Sequence, residues 1–94
     1  MPKIIDQFIE GSLNSNQIHF STHYQKRLME REIDRVYIKN LILNEEPLDL
    51  YEADERDKFK IVYPSETSGY KLIIVVLTKD THLLVMTVYE QKIR

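Results

Sequence analysis

Residues 70–77 read Tyr-Lys-Leu-Ile-Ile-Val-Val-Leu, a run that is nearly all apolar and rich in β-branched side chains. Such a run is typical of a central strand covered on both faces of its sheet. Before it, residues 58–63 alternate between Phe59, Ile61 and Tyr63 on one side and Lys58, Lys60 and Val62 on the other, which predicts a strand with one buried and one partly wet face. A further strand is expected at residues 82–89 and a weaker one at residues 48–51. Short loops separate these segments, so we expect an antiparallel meander.

Helical patterns dominate the part of the chain that precedes this sheet. Residues 2–10 have apolar side chains at helical spacing, with Pro2 near the start and Gly11 just past the end. Residues 18–20 suit only a brief strand, and Ser21 offers a helix N-cap for a second helix over residues 22–31. Asp34 can cap a third helix that runs to Leu43. The pattern predicts an α+β fold in which N-terminal helices pack on an antiparallel sheet of three to five strands.

Length and charge limit the organisation of the chain. With 94 residues, 43% of them hydrophobic, the chain can bury one core, so residues 1–94 are expected to form a single domain. The net charge of −2 excludes a globally basic surface. Residues 44–57 hold seven acids and one arginine, a net charge of −6, so the remaining residues sum to +4. A basic face beside an acidic strip is therefore expected.

The chain has no cysteine, which excludes disulfides, thiolate catalysis and thiolate metal sites. Its first residues include Asp6 and Glu10 and no long apolar run, so we expect neither a signal peptide nor a membrane anchor. These features predict a cytoplasmic protein without membrane contact.

The strongest candidate site lies in the predicted helix over residues 22–31. There His23, Arg27 and Arg31 fall at i, i+4 and i+8, on one helical face. The two arginines repel each other by roughly 0.2–0.5 kcal/mol, so an anionic ligand would explain the row better than stability does. Histidine transfers protons near neutral pH, and arginine binds phosphate, a combination that suits phosphodiester cleavage. Alternatively, the arginines are solvated or paired with acids such as Glu30, Asp34 or the strip at 44–57, and His23 caps or packs.

Other polar residues give weaker signals. Lys58 and Lys60 lie on the wetter face of their strand, where they either contact phosphate or stay solvated. Thr87 and Tyr89 share a face of the last strand, and the Tyr89 hydroxyl could face a pocket. His19 and His23 lack the spacing and the third ligand of a metal site, and His82 is interpreted as a surface residue at a loop. We therefore expect no metal and no cofactor.

Two stretches resemble a known family. The run Phe20-Ser21-Thr22-His23, followed by Arg27 and then Glu30-Arg31-Glu32-Ile33, resembles the "F-T-x-H-x-x-x-R-x-x-E-R-G-I" opening of small uncharacterised domains allied to the RelE/ParE and BrnT toxins. The ending Val85-Met86-Thr87-Val88-Tyr89 resembles the closing "(I/V)-x-T-V-Y" strand of that family. The likeness covers residues 18–90, leaving residues 1–11 as an added N-terminal helix. Glu32 replaces the usual glycine, and the acidic net charge differs from that of the strongly basic ribosome-dependent members.

This resemblance implies a curved sheet and a toxin-like endoribonuclease of a toxin–antitoxin system. His23 would act as general acid or base, Arg27 and Arg31 would stabilise the transition state, and Tyr89 would assist. RNA contacts are expected at Lys58, Lys60 and Thr87. The implied partners are RNA, in some members on the ribosome, and a cognate antitoxin that covers the sheet. The alternative is a non-catalytic protein-binding module on the same scaffold, including a homodimer.

Overall fold

The computed structural model describes residues 4–26 and 35–93, and within residues 22–26 it describes the backbone alone. Helix α1 spans Ile4–Glu10, and a short 3-10 turn at Ser15–Gln17 leads into strand β1, Ile18–Lys26. Helix α2 spans Arg35–Asn44. Four strands follow it: β2 at Asp49–Glu52, β3 at Lys58–Pro64, β4 at Tyr70–Thr78 and β5 at Leu83–Lys92. The α+β class is confirmed. Nowhere in the described ranges is a helix both long and apolar enough to span a membrane.

The five strands form one sheet in the order β1-β5-β4-β3-β2. Strands β2 to β5 form the expected antiparallel meander, and β4 lies at the centre. Strand β1 pairs with β5 in parallel, so the sheet is mixed and the prediction of a wholly antiparallel sheet is wrong. The reason is the connection between β1 and β5. Short turns in a sequence indicate antiparallel hairpins, whereas two parallel strands are joined by a long crossover, which here includes α2 and strands β2 to β4.

Both described helices pack on the same face of the sheet, which we call the helix face. Ile4 and Phe8 of α1 and Ile38 and Ile42 of α2 are buried in one apolar cluster with this face. The strands contribute alternate side chains to it: Ile18, Ile61, Tyr63, Leu72, Ile74, Val76, Leu83, Val85 and Val88. The expected apolar stripe of the third predicted helix is therefore confirmed, and that of the first is confirmed at Ile4 and Phe8, whereas Ile9 is 63% exposed.

Helix α1 ends where the sequence predicts. Gly11 has φ +75°, a left-handed conformation in which glycine avoids the steric penalty of a β-carbon. Its amide donates to the carbonyl of Phe8 at 3.1 Å, and the Ser12 amide donates to the carbonyl of Gln7 at 2.9 Å. These bonds satisfy carbonyls that the helix end would otherwise leave without partners.

Strand β1 is the main departure from the sequence-based interpretation. It continues through Lys26, so Ser21 is not a helix N-cap, and residues 22–26 are extended rather than helical. The edge of β5 pairs with Gln25 and Lys26, and such tertiary pairing outweighs local helical patterning. Residues 27–31 of the predicted helix lie outside the described residues, as does Asp34.

Candidate functional site on the second face of the sheet

The face opposite the helices, here called the second face, carries polar side chains in rows that run across the strands. One row joins Tyr51, Lys60, Val75, Thr87 and Gln25, and it crosses all five strands. Because neighbouring strands lie about 4.8 Å apart, the Cα atoms of Lys60 and Thr87 are roughly 10 Å apart across Val75. A ligand that crosses the sheet here would meet an ammonium group and a hydroxyl in turn.

Two further rows flank this one. The first joins Asp49, Val62, Ile73 and Tyr89. The second joins Lys58, Leu77, Leu84 and His19. Lys58, Lys60, Thr87 and Tyr89, which the sequence singled out on two separate strands, therefore share one face of the sheet.

The centre of the second face is apolar and dry. Val62, Ile73 and Val75 are 4%, 0% and 4% exposed although they do not belong to the cluster under the helices. Lys60, beside Val75 in the register, is half-buried. This is the arrangement expected when a lysine stem lies over apolar surface while its ammonium group stays in water. The face therefore combines an apolar floor with a polar and cationic upper layer.

A double irregularity marks the point where β1, β5 and β4 meet. On one side of β5, Val75 pairs with Thr87 and Val76 with Val85, so Met86 is an extra residue. On the other side, Phe20 pairs with Val85 and Gln25 with Thr87, so residues 21–24 of β1 lie opposite Met86 alone. Bulges of this kind bend a strand and redirect side chains, and they are frequent beside active sites.

Of the predicted catalytic residues, His23 lies within this irregularity and Tyr89 lies close to it. His23 belongs to the bulged part of β1, two positions before Gln25, which pairs with Thr87. Its backbone is extended, so the helical spacing from which it was grouped with Arg27 does not apply at His23. Arg27 and Arg31 lie outside the described residues, and the side chain of His23 is also outside them. Tyr89 is half-buried on β5, two residues beyond Thr87.

Sequence reasoning missed a pair of histidines at one end of the second face. The rings of His19 and His82 stack with centroids 4.1 Å apart and an interplanar angle of 21°. His19 Nε2 lies 3.1 Å from the Asn16 carbonyl, to which it donates, and His82 Nδ1 lies 3.2 Å from the Thr81 hydroxyl. The sequence interpretation treated His82 alone, because only the parallel pairing of β1 with β5 brings these residues together.

Electrostatics at this pair disfavour protonation. Burial lowers the pKa of His82 below its usual 6.5, and the nearby His19 and Lys79 lower it further. Both neighbouring groups, His19 and Lys79, therefore act on this imidazole as positive charges. At neutral pH the His82 ring is therefore mostly uncharged, the form in which one ring nitrogen can accept a proton while the other can donate a hydrogen bond.

One buried polar atom lies on the helix face. Tyr63 is fully buried, and among the described residues its hydroxyl has no hydrogen-bond partner. Burial raises its pKa above the ordinary value, and the negative charge of Glu45 raises it further. This hydroxyl therefore stays protonated under ordinary conditions. It faces the packed helices rather than the second face.

The described residues contain no group of three or more histidine, aspartate or glutamate side chains arranged to hold a metal ion. The chemistry available in the described part of the second face is that of imidazole, ammonium and hydroxyl groups, with the Asp49 carboxylate at the β2 edge.

Comparison with known families gives one match. Residues 20–90 match the model of a family described as a domain of unknown function, DUF4258. No curated protein and no solved structure gives a significant match to the chain. The matched segment begins in β1 and ends in β5, so it includes every residue of the second-face rows except His19.

Proposed function

The chain belongs to the DUF4258 family, and from the second face of its sheet we propose that it is a toxin-like endoribonuclease. The observation that carries this proposal is the shared position of Lys60, Thr87 and Tyr89 on one face, beside the bulged strand that contains His23. The sequence pattern singles out all four residues, which come from three separate stretches of the chain. The resemblance to RelE/ParE and BrnT toxins supports the same activity.

Binding would depend on the lysines. An RNA strand that crosses the second face would place its phosphates near Lys58 and Lys60, whose ammonium groups neutralise charge and release counterions. The Thr87 hydroxyl, on the same row as Lys60, would donate a hydrogen bond to a phosphate oxygen or to a ribose hydroxyl. The apolar floor of Val62, Ile73 and Val75 would exclude water below the strand and strengthen these polar contacts.

Cleavage would depend on proton transfer. In this proposal His23 removes the proton of the attacking 2′-hydroxyl or protonates the leaving oxygen, and Tyr89 supplies a second hydroxyl. Arg27 and Arg31 stabilise the charge that develops on the phosphoryl oxygens in the transition state. None of these steps needs a metal ion. The protein partner that fits this activity is an antitoxin that covers the second face, and the ribosome would present the RNA.

The test is cleavage of labelled single-stranded RNA by the purified protein, with and without ribosomes. Loss of a general acid–base typically lowers the rate by roughly 10²–10⁴-fold, and we expect a decrease of this size for His23→Ala. Growth arrest on induced expression should disappear in the same variant. Thermal unfolding of His23→Ala, compared with that of the unmodified protein, serves as the control for folding. If the unmodified protein cleaves no RNA under either condition and does not slow growth, the proposal is wrong.

A second candidate, a non-catalytic protein-binding module, is favoured by the opposite edge of the sheet. Strand β2 is a short edge strand within the acidic stretch 44–57; its Tyr51 is 42% exposed, and Leu48, just before the strand, is 63% exposed. An edge strand can pair with a strand of a partner protein, and a basic segment of that partner would complement the acidic charge around β2. Under this alternative, His23→Ala would leave every phenotype unchanged, while Leu48→Glu would remove binding of the partner.

A further inference from the structure

An open depression of about 610 Å³ lies at the end of the sheet where β4 turns into β5. Its rim carries two cations, Arg56 and Lys79, together with the ring of His82. Asp57 and Asp80 also line it. A depression of this volume is large enough for a small ligand. Its polar groups come from two turns, one between β2 and β3 and one between β4 and β5.

Hydrogen bonds hold these two turns together. The amide and the hydroxyl of Thr78 both donate to the carbonyl of Asp57, at 2.8 and 3.1 Å. The Lys79 amide donates to the His82 carbonyl at 2.9 Å, which closes the turn between β4 and β5. Asp57 has φ 62°, an uncommon left-handed conformation for a residue with a β-carbon. Arg56 and Lys79, 23 residues apart in sequence, thus line the same depression through fixed backbone contacts.

An anion in this depression would stabilise the protonated form of His82. Burial, the stacked His19 ring with its centroid 4.1 Å away, and Lys79 all lower the pKa of His82. An anion seated against His82 and Lys79 would offset these effects. Arg56 can form two parallel hydrogen bonds to phosphate oxygens.

We propose that the depression between the β4–β5 turn and Arg56 is a binding site for a phosphate group, whose oxygens accept hydrogen bonds from Lys79, Arg56 and the His82 ring. His19 stacks behind His82 and contacts the ligand only through it. A phosphate group fits better than a carboxylate, because it offers enough oxygen acceptors for three donors that approach from different directions. The two lining carboxylates, Asp57 and Asp80, oppose an anion, so binding depends on all three donors at once.

The position of the depression connects it with the second face. Leu77 lines the depression, and in the sheet register it lies between Lys58 and Leu84, whose other neighbour is His19. The depression therefore continues the row that carries Lys58. The phosphate can belong to an RNA strand that leaves the second face at this end, and this source rests on the proposed function. It can also be free phosphate or part of a small phosphate ester, and this second source is independent of the proposed function.

The test is a titration of the full chain with inorganic phosphate, observed by NMR at the histidine rings and at the amides of residues 79–82. Sodium chloride keeps the ionic strength constant. We expect saturable shifts at these positions and a higher pKa of His82 in the bound state, because a bound anion stabilises the imidazolium. Sulfate, a phosphate-like anion whose charge does not change between pH 6 and pH 8, should therefore bind more tightly at pH 6 than at pH 8, since the proton and the anion favour each other's binding.

Matched variants test the assignment of the donors. Lys79→Met should weaken phosphate binding by about tenfold or more, the usual effect of losing a charge-assisted hydrogen bond. Lys92→Met removes the same charge at the opposite end of β4, where Lys92 pairs with Tyr70, and should change affinity less than twofold. Equal losses of phosphate affinity in the two variants would contradict the proposed site. Chemical-shift changes that sodium chloride reproduces at the same ionic strength would contradict it as well.

A second arm identifies the source of the phosphate and separates this site from the proposed function. The His23→Ala variant is titrated with a short single-stranded RNA in the presence of phosphate. RNA that displaces phosphate from His82 supports the site as part of the RNA path, and RNA that leaves the His82 signals unchanged supports it as a site for free phosphate. Phosphate binding in a protein that cleaves no RNA would reject only the proposed function. Cleavage without any phosphate shifts at His82 would reject only this site.

Discussion

Ile73 and Ile74 are neighbours on the central strand, and both are completely buried, yet they belong to different environments. Ile74 lies on the helix face, in the cluster with α1 and α2. Ile73 lies on the second face, outside that cluster, with Val62 and Tyr89 as its cross-strand neighbours. One side of the sheet is buried by a second layer of structure. On the other side, buried apolar residues lie within rows that also carry lysine, threonine and tyrosine.

This difference separates the parts of the molecule that hold the fold from those that can carry chemistry. On the helix face the only described side-chain polar atom buried without a partner is the Tyr63 hydroxyl. The second face places Lys58, Lys60, Thr87 and Tyr89 over a narrow apolar centre. Substitutions on the helix face should thus mainly change the free energy of unfolding. Substitutions of the polar residues on the second face should mainly change the affinity for a ligand.

The largest expected effect tests this comparison directly. Ile74→Ala should lower the free energy of unfolding by about 2–5 kcal/mol, because it leaves a cavity between the sheet and the helices. Ile73→Ala should cost at least about 1 kcal/mol less, since its cross-strand neighbours Val62 and Tyr89 are not packed in the cluster under the helices and can move into the space it leaves. Urea denaturation of both variants measures the difference. Equal costs would mean that the second face is as rigidly packed as the helix face.

A smaller effect is expected from Lys60→Met. If Lys60 holds a phosphate, its loss should weaken RNA binding by roughly ten- to a hundredfold, the range for one charge-assisted hydrogen bond. The free energy of unfolding should stay within about 0.5 kcal/mol, because methionine keeps most of the apolar stem. Lys39→Met, on helix α2, is the matched control. Filter binding at several salt concentrations measures both variants, and a similar loss in the two would show that only overall charge matters.

Tyr63→Phe should stabilise the protein by about 1 kcal/mol. The buried hydroxyl has no partner in the described structure, so its removal relieves a desolvation penalty and leaves the ring in place. The midpoint of thermal unfolding should rise accordingly. A lower midpoint would mean that the hydroxyl is hydrogen-bonded in solution.

The smallest effect concerns pH. The folded protein lowers the pKa of His82 below 6.5, so between that value and the lower folded-state value the unfolded chain binds more protons than the folded one. The free energy of unfolding should therefore decrease as the pH falls below about 6.5. In His82→Gln this decrease should be shallower. Urea midpoints at pH 7.5 and 5.5 measure it, and identical pH dependence in the two proteins would contradict the assignment.

Local patterns predicted most of the elements. The ends of α1 and α2, the four-strand meander and the burial of β4 on both faces follow from helical spacing, turn residues and β-branched runs. The brief strand predicted at residues 18–20 is present, but its continuation through Lys26 was not predicted, because it depends on the pairing of Gln25 and Lys26 with β5, more than sixty residues away. For the same reason the helical spacing from which His23 was grouped with Arg27 does not hold at His23.

The amino-acid sequence by itself determined the composition of each layer: which strands are apolar on one side or on both, where the helices end, and which residues carry ionisable groups. Only the tertiary structure decided which of those groups meet. It placed Lys60 and Thr87 in one row, stacked His19 on His82, and brought Arg56 to the depression beside Lys79. Local periodicity acts over a few residues, whereas these encounters depend on the register and order of strands that are distant in sequence.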